Sequence, residues 1–384
     1  MLKNTKLTTM GMVRWPSRFE NFGVFYLRKL KQQNQDLVEV TISDDLLIWK
    51  VRHISYYSVF LSAIIGFASA FISVYTDVYF SGSDPLTHYG WLTIVTALAT
   101  GVEIYLLFLI ALKTVYKMAD IINIKFTRDE NDNEFPFSIE KILARTAMEL
   151  SDPKQDILGI DAFKRVPNYK LILIGVAYKL KIVLSNIMLR TILQKLFGRT
   201  IMRISVSYIA VPVTGIWNAW VTYKVTREAR LRIFGYVLSN NIANRIITQE
   251  FLSKLSPDAK VGCIRAIANA VVLTRNYHPN MILLLLRFKD LLKINKPDEF
   301  DSWDRFLETL NKVSNEERYM LLDILTISAA FDGRVSRMEK KYLKEAYGEY
   351  YDIYYKRLLR LTALLRTGRL QESIAHCKID FIPG

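Results

Sequence analysis

Cysteine and histidine are scarce in this chain of 384 residues, which has two of the first and four of the second. Cys263 and Cys377 lie far apart and neither belongs to a CxxC pair. That excludes a disulfide framework, argues against a zinc site, and suits a reducing compartment. His53, His88, His278 and His376 never pair with one another at helical spacing, and His376-Cys377 lacks a third partner. Walker A, Rossmann glycine, HExxH and GxSxG patterns are all missing, so the sequence offers no phosphate-cradling loop, metalloprotease pair or nucleophile elbow. The acidic stretch Asp129–Glu134 lacks the glycine and terminal Glu of a calcium loop and reads as an exposed connection. No apolar segment with a small-residue cleavage site is visible in the first 53 residues, so no cleavable leader is expected.

Charge is missing from two further stretches. Ile54–Thr76 has no charged side chain, and Tyr89–Leu112 has one, Glu103. Runs of 18 or more apolar residues are long enough to cross roughly 30 Å of hydrocarbon as helices. Lys50 and Arg52 precede the first run, Lys113 and Lys117 follow the second, and the connecting loop Asp77–His88 has two acids and no Lys or Arg. By the positive-inside rule this is a transmembrane hairpin with both ends in the cytoplasm. Tyr56, Tyr57, Tyr75, Tyr79, Tyr89 and Trp91 stand where aromatic belts stand. Glu103 falls mid-span, where a carboxyl is costly and marks either a pathway or a hydrogen bond to Ser62, Ser69 or a subunit partner.

The net charge of +15 suggests nucleic acid or an anionic membrane surface. Its distribution favours the membrane: Lys170–Arg232 holds eleven Lys and Arg against one acid, Glu228, in otherwise apolar sequence. Nucleic acid is not an expected partner. Lys179, Lys181, Arg190, Lys195, Arg199, Arg203, Lys224 and Arg227 are the candidate headgroup-binding cations. Ile204–Tyr223 is uncharged but contains Pro212, Gly215 and Asn218. The favoured reading of this region is a shallow or re-entrant helical pair on the cytoplasmic leaflet, with a second true hairpin as the alternative.

Near the N-terminus Phe19, Phe22, Phe25, Tyr26 and Leu30 alternate with basic residues, the spacing of an amphipathic helix. In Tyr350–Leu370 leucines alternate with Lys and Arg, which suits a helix closing a domain. The C-terminal third contains an internal repeat. Shifted by 58 residues, Leu252–Lys260 aligns with Leu310–Arg318, and Ala270-Val271-Val272 with Ser328-Ala329-Ala330. Each copy opens on a Ser with an acid two residues later, an N-cap pattern, and continues into a helix, a turn and a second helix.

Two resemblances follow from these residues. Val211–Gly235, with Pro212, Gly215, Asn218, Ala229 and Phe234, resembles the EcsC-type bacterial family, which implies membrane-associated helical packing. Ala329–Leu343, AAFDGRVSRMEKKYL, resembles the TerB-like domain of tellurite-resistance and DjlA-type membrane-bound co-chaperone proteins. In such a turn Gly333 takes positive φ, Val335 plugs the hairpin, and Ser336 with Glu339 forms a capping box. The resemblance also implies divalent-cation ligands at Asp332 and Glu339. The first copy departs from it, with Thr274-Arg275 and Met281 at the matching positions, so turn and cap are the favoured roles and no cofactor is expected.

Together these readings describe an all-α bacterial inner-membrane protein. Its expected parts are an N-terminal segment (1–53), the hairpin (54–112), a connector (113–169), the basic region (170–235) and a TerB-like helical domain (245–384). The expected function is a non-enzymatic scaffold or sensor, of the kind an envelope or stress response uses, that presents the helical module to a cytoplasmic partner. It contacts anionic lipid headgroups and is open to homo-oligomerisation. The alternative is an oligomeric channel or transporter component using Glu103. A lipid-directed enzyme would need a nucleophile–base pair or metal cluster that the sequence does not offer.

Overall fold

A computed structural model describes residues 15–33, 43–122, 138–150, 158–162, 205–247, 249–294 and 298–379. Among the described residues there is no strand; every regular element is helical. Helix α1 spans Trp15–Gln33, and α2 (Asp44–Tyr79) and α3 (Pro85–Ile121) form a long hairpin. The turn between them is set locally. Asp84 caps α3 by accepting the Thr87 amide at 3.0 Å, and Pro85 takes the first helical position, where no amide is needed.

At 36 and 37 residues, α2 and α3 are long and apolar enough to cross a membrane. Their apolar surface faces outward: 28% of the most apolar stretch of α2 and 6% of that of α3 is buried inside the protein. A soluble core helix has the opposite pattern. Phe60, Leu98 and Tyr105 are among the exposed side chains, and the buried ones include Ser58, Ser62 and Ser69.

After α4 (Ile139–Ala147) comes α5, a continuous helix over Ser205–Asn241. It packs lengthwise along α2 and also touches α3. Thr222 bonds Ser62, while Gly66 lies against Thr214, Gly215 and Asn218, so α5 runs antiparallel to α2. Ser205, ten residues before Gly215, therefore lies ~15 Å farther toward the hairpin tip. In the described half of the region expected to form a shallow or re-entrant pair, the chain is one continuous helix lying along α2. Pro212 stands in the first turns of α5 without ending it, and small residues let the two backbones close. The other half, residues 163–204, lies outside the described residues.

Helix α5 runs past residue 235 to Asn241, continues into a π-helical turn (Ile242–Ile246), and packs on the C-terminal helices as well as on α2. The C-terminal domain comprises α6 (Gln249–Ser253), α7 (Pro257–Thr274), α8 (Pro279–Leu292), α9 (Trp303–Lys312), α10 (Asn315–Ala330), α11 (Arg337–Tyr347), α12 (Tyr351–Thr367) and α13 (Leu370–His376). The 58-residue shift is visible in its geometry. Ser256 and Ser314 both cap a helix with their side chains, and so do His278 and Ser336, which begin α8 and α11. Arg275 (φ +55°) and Gly333 (φ +69°) both take the left-handed conformation at matching positions in the two turns. The central helices α7 and α10 pack on each other.

Helix α1 packs on α4, with Glu20 paired to Arg145 at 2.8 Å. It buries Val24 and Leu27 and leaves Phe22 and Phe25 exposed. Tyr26 and Leu30 pack against the core beside them, while Phe22 and Phe25 lie on the outer face. Helix α12 closes the domain: Leu358, Leu361 and Leu365 are buried, and Arg357 bonds Asp323 and the carbonyls of His376 and Lys378. At the far end, the Gln371 and Glu372 amides donate to Asp44, tying the last helix to the start of α2.

The close contact of α5 with the repeat domain gives a direct test. Asn280 Nδ2 donates to the carbonyls of Leu231 and Phe331, both at 3.1 Å, and a Cβ on Gly235 would sit 1.9 Å from that nitrogen. Gly235→Ala is expected to displace Asn280, leave buried groups unpaired and destabilise the protein by about 2–4 kcal/mol. Thermal unfolding in detergent measures the loss, and an unchanged midpoint would contradict this packing.

Candidate functional site

Polar groups converge at two places, one inside the three-helix bundle and one where α5 meets the repeat domain. Within the bundle, Ser58 and Thr114 share a hydrogen bond at 2.5 Å, Thr222 donates to Ser62 at 2.8 Å, and Asn218 Nδ2 donates to Glu103 Oε1 at 2.6 Å. All these residues except Glu103 are buried. In an apolar environment each such bond removes an otherwise unmet polar group. Gly66 makes the seam possible, since a Cβ there would lie 2.6 Å from Asn218 Nδ2 and 2.9 Å from the Thr214 carbonyl.

Within the chain, the partner of Glu103 is Asn218 and not Ser62 or Ser69. The groove beside it, about 340 Å³, is lined by Ile65, Ala68, Ile72, Leu98, Val102 and Leu106, with Ser69 and Glu103 the polar members. Such a lining offers no chain of polar groups for an ion.

The second place lies at the far end of α5. Here Lys224 and Arg227 are the headgroup candidates within the described residues. Lys224 Nζ sits 3.4 Å over the Trp220 ring, and Arg227 is exposed one turn later. Lys179, Lys181, Arg190, Lys195, Arg199 and Arg203 lie outside the described residues. Next to Arg227, Glu228 accepts from Arg232 at 2.9 Å and lies 3.4 Å from His278 Nε2. Burial pushes the Glu228 carboxyl up, but His278 and Arg232 outweigh it and hold the group well below the usual carboxylate range.

Asp332 and Glu339 face the same cavity as Glu228 and His278, which measures about 490 Å³. Both have local work. Asp332 Oδ1 accepts the Arg334 amide at 2.9 Å, and Glu339 closes a capping box with Ser336, accepting its amide at 2.6 Å. No group of three His, Cys, Asp or Glu among the described residues could hold a metal ion. Burial raises the Asp332 carboxyl. Burial also raises Glu339, to about 7, helped by the Asp332 charge and opposed by the bonds from Ser336.

Sequence reasoning missed Glu228, His278, Arg334 and Arg366 as members of this junction. The repeat held one usable signal, because His278 aligns with the cap Ser336. Both cysteines are buried, and burial pushes their thiols up to about 12, so neither is a nucleophile. Compared against known protein families, characterised proteins and solved structures, the chain matches none.

Two outcomes are expected. Glu103→Gln keeps an acceptor for Asn218 and should leave thermal stability in detergent unchanged. Glu103→Leu should cost about 0.5–1.5 kcal/mol. A larger loss in the Gln variant would show that the charge itself matters. For Glu339, the folded state holds a proton that the unfolded chain releases near 4.5. The contribution of Glu339 to stability is then fully present below that value and is lost as pH rises to about 7, and Glu339→Gln should remove this component of the dependence of Tm on pH.

Proposed function

We propose that this protein is a non-enzymatic, membrane-anchored scaffold or sensor of a bacterial inner membrane, with its helical repeat domain offered to a cytoplasmic partner. The observation that carries this reading is the continuity of α5. One helix of 37 residues packs on the hairpin through Thr222 and Asn218 and on the repeat domain through Leu231, Gly235 and Ser239. Anchor and module are thus joined by a strut and not by a linker, so a shift of α5 at one end is passed to the other.

The resemblances to EcsC-type and TerB-like sequences agree with this arrangement, as does the basic end of the hairpin, where α1, α4 and the repeat domain gather. In this reading α2 and α3 cross the membrane with the Asp77–His88 loop outside. The uncharged first half of α5 makes a further crossing, beginning at the outer side. The apolar lining beside Glu103 favours an anchor over a pore.

Topology tests the proposal. Both native cysteines are buried, so a single introduced thiol reports its own position. Ser83→Cys should react with a membrane-impermeant maleimide in intact cells, and Glu349→Cys only after lysis. Labelling of Glu349→Cys in intact cells, or release of the protein from membranes by carbonate, would sink the reading.

A further inference from the structure

The cavity beside Glu339 is larger than a turn and a helix cap require. Glu339 is 1% exposed, and although its Oε2 accepts the Ser336 amide, its buried Oε1 has no hydrogen-bond partner. A carboxyl oxygen withheld from water and left unmet is unfavourable until a polar partner reaches it. Glu228 and Asp332 add two more carboxyl groups to the walls of the same cavity. These three do not close on a single point, as a metal ion would need. Spread over about 490 Å³, they suit a group with several N–H donors, an ammonium.

A second cavity adjoins the first across Glu228, Asp332 and Arg334. It measures about 250 Å³, and its lining includes Arg227, Arg334 and Arg366 together with Gly333. All three arginines are exposed, and none makes an ion pair among the described residues. Three guanidinium groups line this small concavity, with the Glu228 and Asp332 carboxyls in the wall it shares with the first cavity, and their fork geometry suits phosphate oxygens. Acidic and basic cavities thus lie side by side with a common wall.

Their height on α5 identifies the source of such a ligand. Trp217, Trp220 and Tyr223 are exposed just before Arg227, at the position of an aromatic belt. Arg230, about one turn beyond Arg227, is close enough to feel the charge of Arg52 at the basic flank of the first span. The paired cavities therefore open at headgroup level.

We propose that they bind the headgroup of a zwitterionic phospholipid, with the phosphate on Arg227, Arg334 and Arg366 and the ammonium against Glu228, Asp332 and Glu339. The site lies between the membrane strut and both repeat turns, so an occupied headgroup clamps the module to the bilayer. This inference rests on the membrane-anchored reading, whose own failure would appear in the maleimide labelling and not in the lipid titration below.

The test uses the full chain in detergent and follows Tm during titration with dihexanoyl phosphatidylethanolamine, dihexanoyl phosphatidylglycerol or free O-phosphoethanolamine. The ethanolamine lipid should raise Tm at concentrations where the other two do not. Arg334→Ala and Arg366→Gln, both at exposed positions, should each weaken that response about ten- to a hundredfold, the loss of one charge-assisted contact. Glu339→Gln keeps the helix cap and should weaken it as well. An equal response to the glycerol lipid, with Glu339→Gln unaffected, would reduce the site to a simple anion pocket and overturn the zwitterion assignment. An equal response to free O-phosphoethanolamine would overturn the lipid source, and no response to any of the three would overturn the site.

Discussion

The close approach of α5 to α2 is the constraint on which the rest of the molecule depends. Around Gly66 and Gly215 the two helices come near enough for Asn218 to reach Glu103 and for Thr222 to reach Ser62. Across this seam, close packing of small residues and buried polar bonds hold the helices together. Once α5 is held there, its second half projects in a fixed direction. Every contact it makes with α8, α12 and α13 inherits that direction.

The repeat domain is built to receive this strut. Its two turns are equivalent by the 58-residue shift, and both meet α5 near Glu228. The first turn brings His278, the second brings Asp332 and Glu339, and α5 brings the carboxylate between them. A pseudo-symmetric pair of hairpins thus becomes asymmetric in use: one turn contributes an imidazole where the other contributes a serine cap and a carboxyl. Asp44, which accepts amides from the start of α13, closes the circuit back to the hairpin.

Much of this was legible in the sequence because it is local. The uncharged runs marked the hairpin, and Ser336 with Glu339 marked a cap that the structure contains. The spacing of Ser256, Ser314, His278 and Ser336 held the repeat. What sequence could not display were contacts between distant positions. Glu103 and Asn218 stand 115 residues apart, and no local pattern pairs them. Nor could composition reveal that α5 stands upright along α2, since Pro212, Asn218 and flanking cations suit a surface helix equally well. In α1, the alternation of aromatic and basic residues did not display the close contact of Gly23 with Ala144 of α4, another pairing of distant positions.

The burial of Cys263 and Cys377 has a consequence for how such a protein could respond to oxidants. Thiols react as thiolates, and two groups held near 12 within a packed domain stay protonated and shielded at any physiological pH. Peroxide or disulfide stress therefore finds no thiol handle on this chain. Any response of this chain to its surroundings therefore has to run through groups other than its two thiols.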